Sequence, residues 1–251
     1  MNPNYFFDLN YHNPKIGYEL FEYSKADPTN SVDFSVFYDE SMLGAGLIDE
    51  AGMQWVQQYQ TVPRFDSEMR PIGLEFDCGS KTPAFFANLH PNNAESREAT
   101  IAGLAGLLGK ASPGLPVLTQ GVWLEEAGIF PARGDKFIRL MVRGTAQKLK
   151  EFADVHGCVG TDIIVTTNHE PPRNTAVSFD WDGVSVSNVM YASPNIHEDD
   201  PWVVEKKAEL EAQVAKNYAG LDYSISWVLK MSLSANPPPN YLKLYGVVRT
   251  K

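Results

Sequence analysis

The sequence predicts an α+β fold: a ten-stranded antiparallel β-barrel of five consecutive hairpins, surrounded by α-helices, in one domain over residues 1–251. Three observations point there. Strand-like segments come in adjacent pairs joined by short runs of Gly, Pro, Asn and Asp. Helix-like segments fall between the pairs, giving a repeated β-β-α order. Within the strands, apolar residues alternate with polar ones, so that each strand has a dry face and a wet face. Ten antiparallel strands covered by helices on one face are expected to curl and close.

The first pair is GYELFEYS with SVDFSVFYD, joined by KADPTN, and the second is IGLEFDC with TPAFFANLH across GSK. QGVWLEEAGIF and KFIRLMVRG pair across PARGD, and TAVSFDWD pairs with VSVSNVMYA, with Gly183 at the tight turn. The last hairpin folds VLKMSLSANPPPNYLKLY about its NPPPN loop, which places Lys230 opposite Lys243. Like charges directly across a strand pair are unfavourable, so this placement asks for a reason. Helices are expected at 40–58, where three glycines weaken the pattern, and at 94–109 behind the capping run NNAE. Two more are expected at 145–156, behind a capping threonine and ending at Gly157, and at 201–219, where Pro201 suits a first turn.

If helices coat the outside, the apolar faces point outward and the polar faces line the lumen. On β-strand 31–39 the inward set is then Asp33, Ser35 and Phe37, and on 72–78 it is Glu75 and Asp77. Phe137, Arg139, Met141 and Arg143 face inward on 136–144, and Asn174, Ala176, Ser178 and Asp180 on 175–182. About eight strands already give a lumen that side chains fill, so ten leave room for a ligand. The facing lysines would therefore line a pocket.

Four stretches carry a resemblance to a known family: VDFSV, EFDCGSKTPAFF, FDWDGVSVSNVMYA and NYAGLDYSISWVLKMSLSANPPPNYLKLYG. In order, spacing and strand parity they resemble the soluble aromatic prenyltransferases of the ABBA barrel fold, loosely from about residue 17 to the end. The resemblance implies transfer of a dimethylallyl or geranyl group from a prenyl diphosphate to an aromatic (phenolic or indolic) small molecule in specialised metabolism. It implies that Lys81, Lys243 and Arg139 hold the diphosphate, and that Asp33, with Asp77 nearby, holds Mg2+. Lys230 joins the diphosphate set from the hairpin geometry alone. Phe37, Met190, Tyr241 and Tyr245 are candidates for the prenyl and aromatic wall. The chain departs from the family pattern at Asn188, where an arginine is usual, and at Met141 and Ala176, where lumen tyrosines are usual. It is also shorter than typical members, chiefly through the N-terminal helix.

Lysines suit a departing diphosphate because preorganised cations in a sheltered site stabilise developing anionic charge. Other readings of the same residues stay open: Asp33 as a hydrogen-bonded lumen carboxylate, Lys81 as plain surface, and the barrel as a carrier of an isoprenoid or other amphipathic anion, or as a cyclase or lyase.

Bulk properties set the remaining expectations. A net charge of −10 speaks against a nucleic-acid surface. The longest apolar runs fall short of the roughly 18 residues of a membrane span, and the start has no signal-peptide pattern. Cys78 and Cys158 read as free thiols of a cytoplasmic protein, expected to be a monomer. GLAGLLGKAS has five residues between Gly103 and Gly109 instead of four, and Ala111 in place of the hydroxyl a phosphate loop needs. His90, His156, His169 and His197 show no metal-ligand spacing, and G-x-S-x-G does not occur.

Overall fold

The computed structural model describes residues 17–25, 31–38, 40–44, 46–65, 72–77, 80–134, 137–167, 176–234 and 242–250; the side chains of 17–22, 24, 31–37, 41, 217, 249 and 250 are left aside. Strands β1 (Gly17–Ser24), β2 (Ser31–Phe37), β3 (Gly73–Phe76), β4 (Ala84–Asn88) and β5 (Val122–Ile129) are followed by β6 (Ile138–Gly144), β7 (Ala176–Trp181), β8 (Val186–Ser193), β9 (Tyr223–Ser232) and β10 (Leu242–Thr250). They pair antiparallel in chain order, and β1 closes onto β10 to complete a barrel. The connections within β1–β2, β3–β4, β5–β6, β7–β8 and β9–β10 therefore lie at one end, called here the hairpin end.

The helices are α1 (Ser41–Gly44), α2 (Glu50–Gln60), α3 (Ala94–Leu107), α4 (Ala146–Val155), α5 (Asp162–Thr166) and α6 (Pro201–Asn217). Side-chain caps fix four of their starts. Asp49 accepts from Gly52 N, Asn93 from Ser96 N, Thr145 from Lys148 N and Asp200 from Trp202 N. The helix expected over 40–58 is broken in two, because Gly46 adopts φ +73° between α1 and the Asp49 cap. The short α5 and the 3-10 turn Pro131–Arg133 carry too few residues to show a period in sequence.

Alternation sorts the strands as the dry and wet faces require. Leu74, Phe76, Ile138, Leu140, Val142, Leu229 and Met231 are buried in the layer between sheet and helices. Leu104 of α3, Leu149 and Phe152 of α4 and Leu210 of α6 close that layer. α6 approaches β10 so tightly that a Cβ on Gly246 would stand 2.0 Å from Leu210 Cδ2. Residues of the opposite parity, among them Glu75, Arg139, Met141 and Lys230, are only half-buried because they line the lumen. Trp181 has the outward parity: it is buried and donates from Nε1 to the Gly114 carbonyl at 3.1 Å. It is thus a packing residue beneath the segment that follows α3, not part of the lumen wall.

Candidate functional site

Two cross-strand rows organise the lumen. One runs Asn88–Glu126–Met141–Ser178–Met190–Ser232 from β4 to β9. The other runs Ala176–Ala192–Lys230–Lys243–Ser24 from β7 through β10 to β1. Lys230 and Lys243 are direct register partners, as the hairpin geometry required. Their ammonium-bearing stems leave the same face of adjacent strands. The Lys230 Nζ lies 4.8 Å from the centre of the Tyr245 ring, a cation–π contact. Tyr245 is buried and its backbone pairs with Val228. It therefore seats Lys230 as well as forming wall. Met190 and Ala176 are buried, and Met141 is half-buried beside Ser178.

Arg139 has a different environment from the one expected of a ligand-facing cation. Its guanidinium forms an ion pair with Asp180, with Nε donating to Oδ1 at 2.7 Å. Asn188 Nδ2 donates to the other oxygen, Oδ2, at 2.9 Å. Asn188 is held at φ +47° beside a register shift between Ser178 and Asp180, and this is how its amide turns onto the carboxylate. Asn188 thus completes an internal Arg–Asp–Asn unit. Burial pushes the Asp180 carboxyl up, while the Arg139 charge and the Asn188 hydrogen bond pull it back.

That unit continues through Phe130. Its buried ring sits 4.9 Å from the Arg139 guanidinium and 4.2 Å from that of Arg133, and meets Phe86 edge to face at 5.4 Å. Arg133 in turn holds Asp77 with two bonds: Nε donates to Oδ2 at 2.8 Å and Nη2 donates to Oδ1. Both Asp77 oxygens face Arg133. Among the described residues, no three His, Cys, Asp or Glu side chains come together as a metal site. Asp33 pairs through its backbone with Leu20, and Phe37 with Gly73, but their side chains are outside the described set. Tyr241 and Cys78 lie outside the described residues altogether.

Lys81 is exposed in the β3–β4 connection. Its carbonyl oxygen packs against the first turn of α2, where a Cβ on Gly52 would come within 2.3 Å of it. That contact fixes the backbone at the rim, at the same end of the barrel as the β9–β10 connection, and leaves the Lys81 side chain exposed. Cys158 is free, and burial pushes its thiol up to about 11, so it is a poor nucleophile at neutral pH.

Glu126 is the lumen residue that strand alternation misplaces. Counting by twos from the buried Val122 and Leu124 sends Glu126 outward, into the helix layer. A bulge at Glu125 resets the phase, so that Ala127 and Ile129 are buried instead and Glu126 faces Met141 across the pair. The signal is legible in VWLEEAGI, where the apolar spacing changes from two to three around Glu125. Glu125, the extra residue, is engaged by Arg143. Burial first, and the charge of Glu75 second, push the Glu126 carboxyl from 4.5 to about 7; Lys230 and Arg143 oppose the rise.

No protein-family model matches the chain. No curated protein matches it either. Among solved structures, a 6-dimethylallyl tryptophan synthase superposes with a TM-score of 0.48, covering 93% of this chain and 81% of that one at 13% identity. At that identity and score the likeness carries no information about chemistry.

Proposed function

We propose that the barrel is an aromatic prenyltransferase: it binds the head group of a dimethylallyl or geranyl diphosphate at Lys230 and Lys243 and delivers the prenyl group to a phenolic or indolic small molecule in the lumen. The observation that carries this reading is the register of β9 and β10, which sets two ammonium groups side by side inside a chain of net charge −10. A diphosphate gains from both at once, and the same cations stabilise the charge that develops as it leaves an allylic carbon. The cation left behind needs electron-rich or polarisable neighbours, and Met141, Met190 and Tyr245 share the lumen face with the lysines. Arg139, already paired with Asp180, shapes the wall and leaves the head group to the lysines. No step is routed through Mg2+.

The test is calorimetric titration with dimethylallyl and geranyl thiolodiphosphate, with and without Mg2+, on the wild type and Lys243→Ala. Binding weakened by about 1–3 kcal/mol in the variant, the value of a charge-assisted hydrogen bond, is the expected result. Absence of binding by either analogue overturns the reading. Binding followed by no turnover across a panel of phenols and indoles would leave a carrier in place of an enzyme.

A further inference from the structure

The lumen wall over β6, β7 and β8 carries two short rows, one above the other. Met141, Ser178 and Met190 are register partners in the first. The next residues of the same strands on that face are Arg139, Asp180 and Asn188. This second row is fixed by its own contacts. Arg139 Nε and Nη2 both lie 2.7 Å from Asp180 Oδ1, Asn188 Nδ2 donates to Oδ2, and the guanidinium rests on Phe130. The charges cancel, but the hydrogen-bonding capacity is not used up. A guanidinium held by its Nε–Nη2 edge turns Nη1 away from the carboxylate, and Asn188 keeps its carbonyl oxygen and a second N–H. Arg139 Nη1, Asn188 Oδ1 and Ser178 Oγ have no partner among the described residues, yet none of them is sealed in. Buried side-chain nitrogens and oxygens without a partner occur there only in Arg64, Arg97 and Thr119. Helices cover the outer face of the sheet, so these open atoms open into the lumen.

Resting on the reading that an aromatic molecule enters the lumen, we propose that this wall is its seat and selects a ring that carries a neutral amide. The ring packs on Met141 and Met190, whose soft sulfurs suit an aromatic surface. The amide carbonyl accepts from Arg139 Nη1, its N–H donates to Asn188 Oδ1, and Ser178 Oγ serves either group. Every polar atom of the pair then has a partner, which is what a sheltered site rewards. A carboxylate of the same shape fits less well. Asp180 has already cancelled the Arg139 charge, and a carboxylate has no N–H to give to Asn188 Oδ1. The lysine pair belongs to β9 and β10, so this subsite and the head-group site are built from different residues.

The probes are 4-hydroxyphenylacetamide, 4-hydroxyphenylacetate and 4-ethylphenol, which place an amide, a carboxylate or a methyl group on the same ring. They are titrated calorimetrically at neutral pH without any diphosphate. The amide is expected to bind about tenfold more tightly than 4-ethylphenol, the return on hydrogen bonds that include a charged donor, and more tightly than the carboxylate. Removing Arg139 would strand Asp180, so the variants are Asn188→Gly, which suits the φ of +47°, and Ser178→Ala. Asn188→Gly should lose most of the amide's advantage and Ser178→Ala part of it, with 4-ethylphenol binding as before. In methyl-labelled protein, the Met141 and Met190 signals should move with the amide, and that of Met231, on the outer face, should not. Equal binding of amide and 4-ethylphenol by the wild type overturns the proposal, as does an advantage that survives both variants or an amide that does not bind. In Lys243→Ala the amide should bind as in the wild type; its loss there would put it at the lysines and overturn the assignment. If the amide binds and the thiolodiphosphates do not, the prenyl-donor reading falls by itself.

Discussion

Two walls of the same lumen use charge in opposite ways. On the β6–β8 wall, Arg139, Asp180 and Asn188 satisfy one another, and Phe130 joins them to Arg133 and Asp77. On the β9–β10 wall, Lys230 and Lys243 share a register position, in a lumen where burial pushes the Glu126 carboxyl up to about 7. The first arrangement is built to stay as it is, because every charge already has its opposite. The second sets two like charges at one register position, with Lys230 against the Tyr245 ring. A residue type therefore says little about role inside such a barrel; the partner it has been given says more.

The largest effect that would break this contrast is expected at Arg139. Arg139→Met strands the buried Asp180 carboxylate, and loss of one member of a buried pair costs about 3–5 kcal/mol. Urea unfolding should show it, and a loss under about 1 kcal/mol would mean that the pair contributes no more than an exposed one.

Glu126→Gln comes next. Folding raises this carboxyl from 4.5 to about 7, so the folded chain holds a proton that the unfolded chain releases between those values. The favourable contribution is complete below pH 4.5 and is lost as pH climbs through about 7. The loss is on the order of 3 kcal/mol at most, and smaller where lumen water screens the charge. Unfolding curves at pH 5 and pH 8 should therefore show wild type losing stability relative to Glu126→Gln with rising pH. A constant difference would mean that the carboxyl is not perturbed.

Gly128→Ala probes Phe86, the ring that meets Phe130 edge to face. A Cβ there would lie 2.6 Å from Phe86 Cδ1 and 3.1 Å from the Phe85 carbonyl, and overpacking of this kind costs about 1–3 kcal/mol. Because Gly128 pairs with Arg139 on the lumen face, the shift should reach the Arg139–Asp180 unit first. The smallest effect is expected at the rim. Asp77→Asn breaks a partly exposed pair with Arg133 and should cost under about 1 kcal/mol, shrinking further in high salt. A larger loss would show that the rim pair, despite its exposure, holds the hairpin end together.

How far the site was legible depends on whether a residue's place follows from local periodicity. The Lys230–Lys243 pairing was legible because a hairpin's loop fixes its register and alternation fixes its face. The inward placement of Arg139 and Asp180 followed from alternation too, but not that each would neutralise the other; cross-strand contact on β6 and β7 decided that. Strand parity points Asp77 inward, but its ion pair with Arg133, from a turn whose course no pattern specifies, was not legible. The exposure of Lys81 at the rim, with its backbone packed against α2, was not legible from its place next to a turn. Glu126 was passed over because a single bulge residue reverses the face of everything after it.

By itself the sequence determined the α+β class, the hairpin pairs, the dry outer face packed by helices and the facing lysines, all of which depend on period, turn chemistry and caps within a few residues. Only the tertiary structure decided which charges meet across the barrel. That outcome depends on bulges, on the positive φ of Asn188 and on side chains converging from strands far apart in sequence, and no local pattern encodes those distances.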